Sequence, residues 1–364
     1  MTIFKPLGSQ DKVSTKTLLH EAIPLTGTIV SGTYGTWPNE DNIKNYAHGM
    51  FQSVFDYPFL SSSANHIFDI SIGTSANSGL TVTSQPAKKD NIYNQMAQVL
   101  MGYDKDGNIQ RFDEDGNLTG GTKLDEVFFL TFSRLLVKDE IQKGTFELEL
   151  GVDDAFSQAV LGNFANRIKI TDASGSTGYK VNSPAGEYGI LFATASVGTN
   201  VVHPLPQKKV GLIFYQAGVV VLSGSVFNDQ ADGGILNNSL NSTNMERLSG
   251  PSGFQFITGS EISSSADAIR NRIYNVSFNN TIELNSTIHF CRLNHNEFNY
   301  SANPTYLSGS EIRVKTNRTD PPISYITSIG LYSSDNQLLA VGKLSEPIRK
   351  DSNIELTFRA RLDY

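Results

Sequence analysis

The sequence predicts a mainly β protein with β-sandwich-like domains and a few short helices, and an α+β fold is the alternative. Apolar and polar residues alternate with a period of two in several short segments, such as HIFDISIG at 66–73. These segments are rich in β-branched and aromatic residues, and Gly, Asp, Asn or Pro separates them. Helical spacing with a capping residue occurs only in short segments, of which DNIYNQMAQVLMGY is the best.

The first 30 residues are expected to form an extended N-terminal arm. Pro6, Gly8, Pro24 and Gly27 each interrupt regular structure in this stretch. Extended arms of this kind commonly become ordered against a neighbouring subunit.

A β-rich domain with one or two helices is predicted over residues 31–227. Its start, at 39–50, could be a short helix, with Ile43, Tyr46, Ala47 and Met50 at helical spacing. The clearest helix of the chain is predicted in DNIYNQMAQVLMGY. There Asp90 is the expected N-cap, and one face carries Ile92, Met96, Val99 and Leu100.

From 126 to 227 the pattern predicts one strand after another. The longest apolar run, VGLIFYQAGVVVLSGSVF at 210–227, approaches the length of a membrane span. Gln216 and Gly218 interrupt the run, and its residues are biased to β-branched types. We therefore predict two strands there and no association with a membrane.

A junction and a second domain complete the predicted organisation. Residues 228–265 are poor in large apolar side chains and are expected to be a loop or domain junction. A C-terminal β domain is predicted over 266–364. It contains a hairpin at 325–348, with a turn at Ser333–Asn336 and a chain that breaks away at Pro347. We expect the pairing of 338–341 with the first arm to build the core of this domain.

The composition excludes several classes of protein. The 364 residues carry a net charge of -7 and no block of basic residues, which argues against a nucleic-acid binder. The single cysteine, Cys291, excludes an internal disulfide framework. The opening segment MTIFKPLGSQDKVSTK has no apolar region typical of a signal peptide, so secretion is not expected.

Two Asp-Gly-Asn segments carry the carboxylates that a calcium site would need. Asp104, Asp106, Asp113 and Asp115 are closely spaced. An EF-hand loop needs acidic ligands at positions 1, 3 and 5 before its glycine, whereas here the glycine follows the second aspartate directly. Asp-Gly is typical of a tight turn, so hairpin turns are favoured over a bound cation.

The segment HFCRLNHNEFNY contains the only suggestive set of metal ligands. His289, Cys291, His295 and Glu297 would share one face of a continuous strand, and zinc accepts all four ligand types. At about 3.3 Å per residue, however, the first and last of them would stand roughly 26 Å apart. We therefore predict no metal, and these four residues are the candidates if one binds.

The chain contains no linear motif of a nucleotide-binding site, a nucleophile elbow or a zincin. No pair of Asp or Glu singles itself out as a glycosidase pair, although any two could meet in the fold. We predict that the protein is not an enzyme and has no cofactor.

Two loops have the composition of recognition surfaces, GTYGTWPNEDN at 32–42 and HNEFNYSANPTY at 295–306. Their aromatic residues are Tyr34, Trp37, Phe298, Tyr300 and Tyr306. Aromatic side chains among small polar neighbours make contacts at low entropic cost. They would serve subunit packing or carbohydrate binding equally well, and a structural role in the local core is the third alternative.

The hairpin at 325–348 matches a sequence pattern that is found in other proteins. A strand ending in I/V-G-L-Y/F, an Asp- or Asn-containing turn, then L-I/L-A-V-G/A and a Pro-terminated polar segment form the pattern. The matching residues are Ile329, Gly330, Leu331, Tyr332, Asp335, Leu338, Leu339, Ala340, Val341, Gly342, Glu346 and Pro347. The pattern resembles tail-fibre attachment and baseplate proteins of phages. More broadly, the C-terminal quarter is similar to virion structural proteins of contractile-tailed phages, particularly those of marine cyanobacteria.

The resemblance implies a non-enzymatic virion component of the tail, baseplate or fibre-attachment region, assembled in the host cytoplasm. Its partners would be other virion proteins and copies of itself in a ring or trimer. Gly330 and Gly342 are candidate points of close approach by a neighbouring backbone, and Tyr332 is a further interaction candidate. A carbohydrate-binding module on a fibre is the alternative function, followed by a neck or capsid-associated protein or a hydrolase.

Overall fold

A computed structural model describes residues 4–26, 34–35, 39–152, 164, 166–198, 208–228, 234–236, 253–301, 303–309, 311–312, 317 and 319–364. The strands are β1 (Lys12–Thr26), β2 (Ile43–Asn45), β3 (Gln52–Phe55), β4 (His66–Thr74), β5 (Glu126–Phe132), β6 (Glu140–Ile141), β7 (Glu147–Gly151), β8 (Arg167–Thr171), β9 (Tyr188–Val197), β10 (Lys209–Phe214), β11 (Val219–Ser223), β12 (Ile273–Leu293), β13 (Leu307–Ser308), β14 (Glu311–Ile312), β15 (Ile323–Tyr332), β16 (Leu338–Asp351) and β17 (Leu356–Asp363). The helices are α1 (Pro86–Leu100), α2 (Arg134–Val137), α3 (Gly175–Gly178), α4 (Gly253–Gly259) and α5 (Ile262–Arg270), with 3-10 turns at Ser9–Asp11, Gly224–Phe227 and Pro304–Tyr306.

The mainly β class is confirmed, with 44% strand and 16% helix. Thirteen of the described strands pair in one antiparallel sheet, and β13–β14 and β15–β16 form two further two-stranded sheets. Within the described residues, no helix is long and apolar enough to cross a membrane.

The chain divides into two compact units. The larger unit comprises Leu19–Ile282, and the smaller unit comprises Met1–Leu18 together with Glu283–Tyr364. This division differs from the predicted boundaries, because it follows compactness in space and joins two segments from opposite ends of the sequence. The predicted junction at 228–265 also contains α4 and the start of α5, whose apolar residues Phe256 and Ile257 are buried in the larger unit.

The core of the larger unit lies around strands that are buried on both faces. Its strands pair in the order β12, β7, β8, β9, β10, β11, β5, β4, β3, β2. In β5, Phe129 contacts Phe112 on one side of the sheet, and Phe128 contacts Phe227 on the other. Strands buried on both faces read as continuous apolar runs, which is why 126–132 and 210–223 are so apolar. The prediction of two strands in the 210–227 run is confirmed by β10 and β11.

Helix α1 packs against β4, as its apolar spacing predicts, but two details of the prediction are wrong. The helix begins at Pro86, not after Asp90, because proline fits the first helical turn. The Asp90 carboxylate instead accepts a hydrogen bond from Thr74 Oγ1 at 3.1 Å. On the apolar face, Ile92 and Leu100 are buried, whereas Val99 is exposed.

The predicted helix at 39–50 is absent, and this segment contains the short strand β2 followed by a turn. Strand β2 pairs with β3, with Ile43 opposite Val54. The side chain of Asn42 donates a hydrogen bond to Phe55 O at 3.0 Å, which ties the start of β2 to the same neighbour. Long-range pairing therefore outweighs the local helical spacing.

Two buried ionisable side chains are hydrogen-bonded within the larger unit. Lys89 lies in α1 and donates to Ile257 O and Ser260 O, both at 2.6 Å, at the end of α4. Burial lowers the pKa of Lys89 to about 8. The Asp172 carboxylate accepts hydrogen bonds from two backbone N–H groups and from Tyr215 Oη, and burial raises its pKa to about 6.

The smaller unit is built from long strands at the two ends of the chain. The second half of β12 pairs with β17, with Cys291 opposite Phe358. The predicted N-terminal arm differs from expectation, since residues 12–26 form strand β1 beside β12 of the same chain. Within this unit, Lys16 forms an ion pair with Glu283 at 2.5 Å. The hairpin of β15 and β16 completes the unit.

Candidate interaction site

The hairpin of β15 and β16 has the predicted strand, turn and strand. Val341 lies opposite Gly330, and Ala340 lies opposite Leu331. At the turn, the Ser333 N–H donates to Gln337 O, and Asn336 adopts a left-handed conformation with a φ of 61°. Asparagine tolerates this conformation better than most residues, which explains its place at the turn.

The second strand does not end at Pro347, contrary to the prediction; β16 continues to Asp351. Ile326 pairs with Ile348 and Ser328 pairs with Lys343, so Thr327 alone lies opposite residues 344–347. This is a large β-bulge. Pro347 has no N–H group to donate to a ladder, so a bulge is where a strand accommodates it.

The outer part of the hairpin exposes its apolar side chains. The exposed fractions are 53% for Leu338, 68% for Leu339 and 62% for Val341, and Tyr332 is exposed as well. The prediction that 338–341 build a domain core is therefore wrong, although the pairing itself is confirmed. We call Tyr332, Leu338, Leu339 and Val341 the hairpin apolar patch.

The two candidate glycines of the hairpin have different surroundings. A Cβ at Gly330 would lie 2.8 Å from the Tyr332 ring and 3.3 Å from Leu338 Cδ1, so side chains of the hairpin itself occupy that space. A Cβ at Gly342 would meet no atom within 4 Å. Only Gly342 therefore has open space beside it.

The N-terminal residues of the smaller unit contact the same unit through aromatic and charged groups. The Phe4 ring lies edge-on to Tyr332, with ring centroids 4.7 Å apart. Lys5 Nζ donates to Glu297 Oε2 at 2.5 Å and to the carbonyl oxygen of Arg292 at 2.8 Å. The ammonium of Lys5, together with the N–H of Asn294, holds the pKa of Glu297 below its usual range.

The four weak metal candidates do not converge. His289 and Cys291 lie within β12, whereas His295 and Glu297 lie in the turn that follows it. His295 Nδ1 lies 3.5 Å from Glu355 Oε1, and Glu297 is paired with Lys5. Burial raises the pKa of the Cys291 thiol, which disfavours the thiolate that binds metals. In the described parts of the chain, no three His, Cys, Asp or Glu residues gather as a metal site.

The two Asp-Gly-Asn segments of the larger unit form turns, as predicted. The Asp104 carboxylate accepts from the N–H groups of Asp106 and Asn108, and Gly107 has a φ of 83°. In the second segment, Asp113 pairs with Lys123 and accepts from the N–H of Gly116. The carboxylates that a cation would need are therefore engaged with backbone donors and a lysine.

The loop at 294–306 is held to the base of the hairpin by buried polar contacts. Lys350, which is fully buried, donates to His295 O, Asn299 Oδ1 and Asp351 O at 2.7–3.2 Å. The hydroxyl of Ser324 donates to Phe298 O. These contacts hold the loop on the base of the hairpin.

The candidate aromatic residues of this loop differ in their exposure. Phe298 and Tyr300 are exposed. Tyr306 is partly buried and donates its hydroxyl to Ile323 O at 3.2 Å. Burial and the neighbouring Tyr325 raise the pKa of the Tyr306 phenol. In the other loop, Tyr34 lies in the larger unit with its ring centroid 5.8 Å from that of Tyr57, and Trp37 lies outside the described residues.

Two adjoining open clefts border the bulge. The first has a volume of about 560 Å³ and is lined by Ser301, Asn303, Thr305, Tyr306, Tyr325, Thr327 and Pro347. The second has about 440 Å³ and is lined by Thr327, Ser328, Lys343, Leu344, Ser345 and Pro347. Thr327 and Pro347 belong to both clefts. We call the pair of clefts the bulge groove.

Sequence reasoning identified Tyr306 but missed the rest of the bulge groove. Its residues come from the 301–306 loop, from β15 and from β16, and no local pattern connects these segments. One signal could have located it, since a proline inside an otherwise regular strand indicates a bulge or an edge.

Comparison with protein-family models, with curated proteins and with solved structures gives no match to this chain.

Proposed function

We propose that this chain is a non-enzymatic structural component of a phage virion, in the tail, baseplate or fibre-attachment region. It works by binding other copies of itself and neighbouring virion proteins. The resemblance of the hairpin motif supports the proposal. The observation that carries it is the hairpin apolar patch, which lies in a unit with very little interior of its own.

The smaller unit buries very few large apolar side chains. Among the described residues of the smaller unit, Leu293 and Ile323 are the only large apolar side chains that are buried. A two-stranded hairpin is at best marginally stable alone in water. An exposed apolar surface on such a unit is typical of a protein–protein interface.

Copies of the same chain are the partner that the hairpin fits. Among the described strands, β15 and β16 pair only with each other, so each copy presents open backbone edges next to its apolar patch. An open edge can accept a strand of a neighbour, and the space beside Gly342 leaves room for an approaching backbone. Repeating such a contact around an axis gives a ring or trimer.

The test is the mass of the purified full chain by size exclusion with light scattering over a range of concentrations. We expect an oligomer for the native chain and a monomer for the double variant Leu339→Asp/Val341→Asp. A charge that must be desolvated on association costs several kcal/mol. Leu60→Asp is the matched control, because Leu60 is 89% exposed and lies in the larger unit. It should leave the mass unchanged.

A native chain that remains monomeric at every concentration would refute self-association. A double variant that assembles as well as the native chain would show that the hairpin apolar patch is not the interface. The virion assignment has its own measurement, which is mass spectrometry of intact particles. We expect about six or twelve copies per particle, as in a cyclic tail ring. Absence of the chain from purified particles contradicts the assignment.

A further inference from the structure

We propose that the bulge groove binds a saccharide chain, a role that goes beyond assembly and does not depend on it. The groove exists because Thr327 alone faces residues 344–347 across the hairpin. Bulges re-aim side chains and are frequent next to binding sites. The two clefts share Thr327 and Pro347, so both lie at the bulge.

The size of the groove suits a ligand larger than a single small ion. Its two parts measure about 560 Å³ and 440 Å³. Sites for small molecules are typically about 300–1,000 Å³. Because both clefts are open to solvent, a bound chain could continue beyond them.

The chemistry of the lining favours sugars over other ligands. Hydroxyl groups come from Ser301, Thr305, Thr327, Ser328 and Ser345, an amide comes from Asn303, and rings come from Tyr306 and Tyr325. Sugars carry hydroxyls that both donate and accept, and C–H faces that pack on aromatic rings. Among the described lining residues there is no carboxylate and Lys343 is the single cation, so these residues lack the charge density of a metal or polyphosphate site.

Several of the polar groups in the groove are free to bind. The Oδ1 atom of Asn303 accepts from Thr305 N at 3.1 Å and from Thr305 Oγ1 at 2.9 Å, and its amide N–H donors have no partner among the described residues. The hydroxyls of Tyr325 and Thr327 have no hydrogen-bond partner among the described residues. The hydroxyl of Tyr306, which donates to Ile323 O, keeps its capacity to accept.

The walls of the groove are fixed in advance. The buried ammonium of Lys350 anchors the 294–306 loop through His295 O and Asn299 Oδ1, and Ser324 anchors it through Phe298 O. Tyr306 is attached to β15 in the same way. A preformed site loses less conformational entropy on binding, which raises affinity.

The experiment is binding of the purified full chain to an array of neutral and acidic bacterial surface polysaccharides, followed by calorimetry with the best binder. We expect Tyr325→Ala to lower affinity about tenfold or more, because it removes a ring that packs on the sugar. Thr327→Val, which keeps the shape and removes the hydroxyl, should weaken binding less. Tyr300→Ala is the control, since Tyr300 is an exposed tyrosine of the 294–306 loop that does not line the groove.

Lys343→Ala separates the two sugar classes, because it should weaken acidic polysaccharides only and make their binding less dependent on salt. Failure of the native chain to bind any polysaccharide of the array would overturn the proposal. Equal losses in Tyr325→Ala and Tyr300→Ala would overturn it as well. Far-ultraviolet circular dichroism of each variant checks the fold, and Tyr325→Phe retains the ring if Tyr325→Ala does not fold.

Discussion

The two units of this chain contain similar alternating strands, but the apolar residues of these strands are buried in the larger unit and exposed in the smaller one. All residues of the buried hydrophobic cluster lie between Leu25 and Phe278, within the larger unit. In the smaller unit the hairpin strands leave Leu339 and Val341 exposed. An apolar strand face therefore becomes a core only where the same chain supplies a layer to cover it.

Strands β5 and β16 differ in whether their apolar residues are covered. Phe128 and Phe129 of β5 point to opposite faces, and aromatic residues of the same unit cover each of them. The apolar segment of β16 has a partner strand but no covering layer among the described residues of its unit. The larger unit thus has a core of its own, whereas the smaller unit leaves apolar strand residues exposed.

The largest expected effect comes from deleting a buried ring of the larger unit. Phe128→Ala should lower the free energy of unfolding by about 3–5 kcal/mol, because it removes apolar contacts and leaves a cavity. In dilute monomer, Leu339→Ala should change it by no more than about 0.5 kcal/mol, since that side chain is already exposed. Urea unfolding followed by circular dichroism measures both.

Val99→Ala is the control for this pair of variants, because Val99 is 66% exposed but belongs to the larger unit. Its effect should match that of Leu339→Ala, which would show that exposure and not the choice of unit decides the loss. A loss for Leu339→Ala as large as that for Phe128→Ala would break the comparison.

The next effect is the pH dependence contributed by Asp172. Its folded pKa of about 6 lies above the ordinary value of 3.8, so between these values the folded state binds more protons than the unfolded state. The free energy of unfolding should therefore be highest below about pH 4 and fall by about 3 kcal/mol at most as pH rises through 6. Urea midpoints at successive pH values measure this slope.

Asp172→Asn should flatten the slope and also lower stability at pH 4. Three groups donate to Asp172, namely the N–H groups of Gly144 and Phe146 and the hydroxyl of Tyr215. The amide nitrogen of the variant is itself a donor and would face one of them. A variant with an unchanged slope would show that another group titrates in this range. Since the network lies wholly in the larger unit, hairpin variants should leave the slope intact.

The smallest effect concerns the hairpin turn. Asn336 has a φ of 61°, so Asn336→Ala should weaken the turn by about 1 kcal/mol, whereas Asn336→Gly should preserve it. Hydrogen exchange of the hairpin amides should detect faster opening in Asn336→Ala alone. Global unfolding in urea should stay unchanged, because the larger unit determines it. Equal exchange in both variants would contradict this account of the turn.

Local sequence patterns predicted those elements whose tertiary contacts favour the same secondary structure. The paired runs at 210–214 and 219–223 became β10 and β11, because the residues between them favour a turn and both faces are buried. The segment at 39–50 failed, since its helical spacing competes with pairing of β2 to β3, a contact that the segment itself does not encode.

The interaction site was predicted only in part, because local sequence patterns do not encode the contacts between distant segments. The position of the hairpin and of its turn at Asp335 and Asn336 follows from turn chemistry and alternation. The exposure of Leu339 does not follow from the sequence, because an apolar residue reads the same whether its own chain or a neighbour covers it. The bulge groove needs three separate segments to meet, and only Pro347 indicates it locally.

Hydrogen exchange of β5 and β16, compared between dilute monomer and concentrated assembly, tests the central claim most directly. Amides of 338–343 should exchange about tenfold more slowly or better in the assembly, because a neighbouring copy covers the patch and pairs with the edge. Amides of β5 should be protected equally in both samples. Unchanged exchange of 338–343 in a confirmed oligomer would contradict the claim that the exposed hairpin is the assembly surface.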